Sequence, residues 1–216
     1  MGSTWVRRAL SASALAFAGG AFAAATCPKA APTAMLERFT PADCETCWQS
    51  ATPPAARVMV LDWIVPASDG AAMAAAALPE AAERAGRHTL AAPLPQRPAL
   101  RLRIADGPAW NGYIGLQLTA TRLRKLPAGA TAYAALVERV PAGSEGTPVA
   151  RQLVRAVVGP MTLQELATQP TIHHLRAVRV PETERPERLA SVAWVEDAAG
   201  QVIAAASSPL AECMAH

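Results

Sequence analysis

The sequence predicts an α+β protein, with an N-terminal α/β segment at residues 26–98 followed by an antiparallel β-sandwich at 99–216. Three observations carry this expectation. Strand-like and helix-like stretches alternate up to Ala85. From Leu90 the helical period fades, and short strand-like runs follow, broken by turns rich in proline and glycine. Between the first strand and the first helix stand two cysteines, Cys44 and Cys47, at C-x-x-C spacing.

Residues 1–25 read as a secretory signal rather than as part of the fold. Arg7 and Arg8 form a positive start, Ala9 to Phe22 is apolar, and Ala21-Phe22-Ala23 and Ala23-Ala24-Ala25 both offer a small-x-small cleavage pattern. The apolar run is shorter than the ~20 residues a membrane-spanning helix needs, and Gly19-Gly20 weaken it further. A lipid-modified Cys27 is disfavoured, because Ala24-Ala25-Thr26 lacks the leucine expected three residues before such a cysteine. The expectation is a periplasmic or secreted chain with no membrane span once the signal is removed.

In the mature chain, Thr33 to Phe39 is the first strand and Asp43 to Ser50 a short helix that Pro53-Pro54 cannot continue. Arg57 to Val65 is a nearly continuous apolar run of strand length, which suits a strand buried on both faces. Ser68 or Asp69 caps an alanine-rich helical stretch that stops at Gly86, with Pro79 marking a kink or a restart. Strand, helix, strand, helix implies a parallel pair with crossovers. Beyond Pro93, Pro95 and Pro98 come seven strand-like runs: Leu100 to Ile104, Leu116 to Ala120, Thr131 to Val140, Ala150 to Val158, Ile172 to Val180, Leu189 to Val195 and Val202 to Ala206. Turn signals such as Gly107-Pro108, Pro141-Ala142-Gly143 and Gly159-Pro160 separate them, the spacing of a sandwich.

Composition narrows the function. The chain is 51% hydrophobic and 17% charged, so it can bury a core and is not a disordered tail. Formal charge is +3, and removing Arg7 and Arg8 leaves about +1, without the clustered basic face that a nucleic-acid partner needs. No serine-hydrolase elbow, phosphate-binding glycine loop or paired-carboxylate pattern is present.

Export governs the reading of the four cysteines, because disulfides persist in oxidising compartments. Cys44 and Cys47 form a close pair, which leaves Cys27 to pair with Cys213 as a terminal, structural disulfide. Closing a loop of that length would stabilise by about 5 kcal/mol in the chain-entropy model. A cysteine at a helix N-terminus is favoured as thiolate. Cys44 is therefore the candidate nucleophile and Cys47 the resolving thiol, while Asp43 and Glu45 beside Cys44 work against the thiolate. Trp48, directly after Cys47, is a candidate substrate lip, although packing of the first helix is the simpler account.

Glu37-x-Phe39-Thr40-x-x-x-Cys44-x-x-Cys47 resembles the opening E-L-F-T-S-Q-G-C-S-S-C of an uncharacterised secreted thioredoxin-like family of proteobacteria. Asp62-Trp63 is compatible with that family's D-Y-W element, and Gly200 to Ala206 is similar to its closing strand. The resemblance implies a thioredoxin-like half, complete or trimmed, ahead of a β-rich half. It also implies a cis-proline facing the cysteines, and Leu94-Pro95-Gln96, which resembles the family's T-P-Q, makes Pro95 the candidate. Glu45-Thr46 between the cysteines and Trp48 after them depart from the family's small residues and proline.

Two functions follow. One is a thiol–disulfide oxidoreductase acting through Cys44 and Cys47 on a protein or peptide partner. The alternative is a non-enzymatic envelope binding module with purely structural disulfides. No metal or other cofactor is expected, because His173 and His174 are adjacent on a strand and point to opposite faces, and His88 and His216 are isolated. Arg151, Arg155, Arg176 and Arg179 read as a solvated strand face.

Overall fold

The computed structural model describes residues 31–86, 92–180 and 185–208. The signal-like segment, Cys27 and Cys213 lie outside the described residues.

The chain begins with strand β1 (Ala34–Pro41), a one-turn helix α1 (Glu45–Gln49) and strand β2 (Val58–Val65). A 3-10 turn at Ala74–Ala76 precedes helix α2 (Pro79–Ala85), and Pro79 occupies its first turn, where its missing N–H costs nothing. Then come β3 (Ala92–Pro93), β4 (Leu100–Asp106), β5 (Tyr113–Arg122), β6 (Thr131–Val140), β7 (Arg151–Thr162), β8 (Thr171–Arg179), β9 (Leu189–Glu196) and β10 (Val202–Ser207).

Two sheets result. The larger runs β10-β9-β6-β7-β2-β1-β3 and the smaller β4-β5-β8. β1 and β2 pair in parallel from Ala34↔Val58 to Pro41↔Val65, and β2 meets β7 in parallel at Asp62↔Leu153. The other pairings are antiparallel.

Alternation along the central strands builds two cores back to back. On β6, Ala132, Ala134 and Leu136 face the smaller sheet and meet Leu102, Ile104, Leu116 and Leu118. Ala135 and Val137 face the other way, toward Trp63 of β2, Trp194 of β9 and Ala81 of α2. A third, smaller cluster joins Trp48 of α1 to Ala42, Ile64, Val140 and Leu153.

This architecture corrects the predicted fold class. The protein is predominantly β and does not contain a thioredoxin-like α/β domain. Among the described residues there are two α-helices, of five and seven residues, too short to cover the two faces of an α/β sheet. β2 leads not to another α/β unit but to β7, so the larger sheet is shared by strands from before and after residue 98. The alanine-rich stretch from Ser68 misled the expectation, since before Pro79 it forms only the turn at Ala74–Ala76 and the α-helix that follows is seven residues long.

Gly159, on β7, shows how tightly the second core is built. Its φ is +140°, and a Cβ there would stand 2.6 Å from Tyr133 Cδ1 and 3.0 Å from the Ala132 carbonyl oxygen. Tyr133 in turn stacks on Trp194 at a centroid distance of 5.4 Å. Gly159→Ala is expected to destabilise by about 1–3 kcal/mol, through strain and overpacking. A thermal melt checks this, and an unchanged midpoint would show that the Tyr133 ring gives way freely.

Candidate functional site

Cys44 and Cys47 are disulfide-bonded, with their Cα atoms 5.3 Å apart. The turn that carries them follows from local chemistry. After β1, Ala42 is fully buried. Its N–H donates to the Val65 carbonyl and its own carbonyl accepts from the Met73 N–H. Cys44 caps α1: the Cys47 N–H donates to Cys44 Sγ at 3.3 Å, and the Thr46 hydroxyl lies 3.5 Å from the same sulfur. Cys44 is half-buried and Cys47 exposed.

The structure does not bring Pro95 to this turn. Pro95 is exposed and follows β3, which pairs with Ala34 and Met35 at the start of β1, whereas the cysteines follow its end. The eight residues of β1 put about 20 Å between the two places. The cis peptide among the described residues is Gly159–Pro160, not Leu94–Pro95. The T-P-Q likeness is therefore a likeness of three letters, without the geometry that the resemblance implied.

Trp48 is 7% exposed and is not an open lip beside the disulfide. Its indole N–H donates to the Glu145 carbonyl at 2.9 Å. The Arg151 guanidinium lies over its ring at 4.2 Å and also donates to its carbonyl oxygen. Arg151 is held in turn by Asp62 at 2.9 Å and by the Thr147 hydroxyl at 2.9 Å. Asp62 also takes both Arg38 Nε at 2.7 Å and Nη2 at 3.0 Å, and the Gln152 N–H at 3.0 Å. One carboxylate thus ties β1, β2 and β7 together behind the disulfide turn. Arg151 is buried, which corrects its reading as part of a solvated face. Strand parity alone put it outward, and the partner that draws it in is 89 residues away. The one sequence signal was Asp62 itself, a carboxylate inside an apolar strand, which demands a partner.

Beside Trp48 opens a cleft of about 550 Å³ between α1, the Ala72–Ala76 segment and β6–β7. Its walls mix apolar Ile64, Met73 and Leu153 with Glu45, Glu145 and Arg155. Glu138 pairs with Arg155 and Arg188, and Arg188 also pairs with Glu145, so the cleft is rimmed by linked charges.

A second polar cluster is sealed inside the larger sheet. Arg84 of α2 donates to Glu37 of β1 at 2.8 and 2.9 Å and to Glu196 of β9 at 2.7 Å. The rings of Trp63, Tyr133 and Trp194 surround its guanidinium at 5.0–5.7 Å. Burial disfavours the Arg84 charge, but the bonds and charges of Glu37 and Glu196 outweigh it and hold its pKa above the usual arginine value. Glu37, which entered as a letter of the family motif, is here a structural ion-pair partner. His173 and His174 bond to Thr119 Oγ1 and the Thr162 carbonyl, and the described residues contain no cluster of three metal-ligating side chains.

No protein-family profile and no curated protein matches the chain. Among solved structures, HBP35 of Porphyromonas gingivalis matches with a TM-score of 0.56 at 10% identity, over 82% of this chain and 75% of that one. The two share a fold. A domain of the outer membrane lipoprotein Omp28 from the same organism aligns with 53% of this chain and 89% of its own at 15% identity, with a TM-score of 0.40. The HBP35 likeness agrees with the predominantly β architecture and says nothing of activity.

Proposed function

We propose that the protein is an exported, non-enzymatic binding module of the cell envelope, in which the Cys44–Cys47 disulfide is a structural staple. Export is supported by the signal-like residues 1–25, and no helix among the described residues is long and apolar enough to cross a membrane. The observation that carries the reading is the immobilisation of Trp48. The disulfide closes the one-turn helix whose Trp48 is pinned by Arg151 and by the Glu145 carbonyl. The staple therefore secures a wall of the cleft, and the cleft is the place to hold a ligand. The sulfurs gain little chemical activation: α1 is a single turn, and Asp43 and Glu45 flank Cys44. Like charge beside a sulfur disfavours the thiolate, which makes the disulfide more stable and its exchange slower.

The test is the reduction midpoint of the pair, read as alkylated mass across graded thiol buffers. A midpoint below about −300 mV, the range of structural disulfides, is expected. A midpoint between about −120 and −270 mV, where exchange enzymes work, would overturn the reading. In the chain-entropy model the double substitution Cys44→Ala/Cys47→Ala is expected to lower stability by about 2 kcal/mol, with no accompanying loss of thiol exchange because there is none to lose.

A further inference from the structure

The outward face of the β4-β5-β8 sheet carries a pattern that neither the disulfide nor the cleft accounts for. The register places Arg103, Thr119 and His173 in one row across this face, then Ala105, Gln117 and Leu175 in the next. Arg101 pairs with Thr121 at one end and Arg179 with Tyr113 at the other. No outward position of the three strands holds an acid, and none of Arg101, Arg103 and Arg179 forms an ion pair with a described residue.

At one end of this face the β4–β5 hairpin turns through Asn111 and Gly112, both at positive φ. This turn sets Trp110 against Tyr113, and their backbones exchange hydrogen bonds at 2.8 and 3.0 Å. Trp110 is 83% exposed and Tyr113 51%, while Leu175 within the face is 70% exposed. Trp48, Trp63 and Trp194 are all buried, so Trp110 stands apart from the other described tryptophans.

We propose that this face docks on an anionic phospholipid surface, with the arginines meeting headgroup phosphates and Trp110 and Tyr113 entering the interface. Tryptophan and tyrosine favour that depth because their rings are apolar and their N–H and O–H groups stay wet. Arginines near an anionic leaflet add an attraction that salt screens. The charge complementarity selects the occupant: a face with three cations, no acid at an outward strand position and an aromatic tip fits a negative surface rather than a neutral one. The inference rests on the envelope reading and names the surface that the module would meet there.

The experiment is sedimentation of the mature chain with phosphatidylcholine vesicles, with and without phosphatidylglycerol, at low and high salt, alongside tryptophan fluorescence. Binding is expected to the anionic vesicles alone, reversed by salt, with a blue shift that Trp110→Phe abolishes. Arg101→Gln/Arg103→Gln/Arg179→Gln is expected to weaken binding on the order of 100-fold, and its thermal midpoint, unchanged for exposed positions, confirms that it is folded. No binding, equal binding to neutral vesicles, or capture by a soluble polyanion in place of vesicles would each overturn the proposal. The disulfide midpoint is a separate measurement, so a chain that fails to bind vesicles yet holds a structural disulfide leaves the envelope reading standing.

Discussion

Arg84→Met is expected to destabilise the protein by about 3–5 kcal/mol, the cost of breaking a buried ion pair by removing one partner. The guanidinium is nearly covered and satisfies two carboxylates, Glu37 with a two-point bond and Glu196 with one. Glu196 retains the Trp194 indole N–H at 2.7 Å, but Glu37 is left without its guanidinium. Both carboxylates then face each other across the space that the arginine filled. Three aromatic rings also lose the cation they surround, a further loss on the order of 1 kcal/mol each where desolvated. Urea titration measures the effect. Arg84→Met/Glu37→Gln/Glu196→Gln is expected to recover much of it, because removing all the charges removes the desolvation penalty with them. Arg84→Lys should fall between, since an ammonium cannot reproduce the planar two-point bond. A wild-type midpoint for Arg84→Met alone would mean that the cluster is hydrated and contributes no net stability.

Asp62→Ala is expected to cost a similar amount, about 3–5 kcal/mol, and to loosen the disulfide turn as well. Asp62 is 1% exposed and accepts four hydrogen bonds, two from Arg38, one from Arg151 and one from the Gln152 N–H. Without it, Arg151 keeps only Thr147 and the Trp48 carbonyl, and its charge is buried without a counter-ion. Arg151 covers Trp48, so the indole is expected to gain solvent exposure, read as a red shift and faster quenching by iodide. Asp62→Asn keeps an acceptor for Gln152 and should cost less. If Asp62→Ala lowered stability but left Trp48 as protected as before, the disulfide and the Glu145 carbonyl would be holding α1 without help from this network.

The two networks show what could be read from the chain and what could not. The strand positions were legible, because apolar alternation and a run such as Val58 to Val65 reflect burial that each strand imposes on its own residues. The restart at Pro79 and the cysteine pair before a helix were legible for the same reason, since capping and φ restriction act within a few residues. Asp62 inside its apolar strand was a further signal, left unread, that a buried cation would meet it.

The partners themselves were not legible. Arg151 lies 89 residues from Asp62, and Glu196 lies 112 from Arg84. Strand parity placed Arg151 outward, and nothing local distinguishes it from Arg179, which does face solvent. The family motif likewise suggested a separate redox domain, because its letters describe a strand, a turn and a helix start that other β-rich frameworks can also contain. The sequence by itself determined the strands, the turns and the position of the disulfide, since those depend on short-range sterics and side-chain period. Only the tertiary structure decided that β2 would meet β7, that one sheet would join both halves, and that Arg151 and the Glu145 carbonyl would pin Trp48. Those outcomes depend on which buried charges and apolar faces find complements far along the chain, a choice that one strand's sequence leaves open.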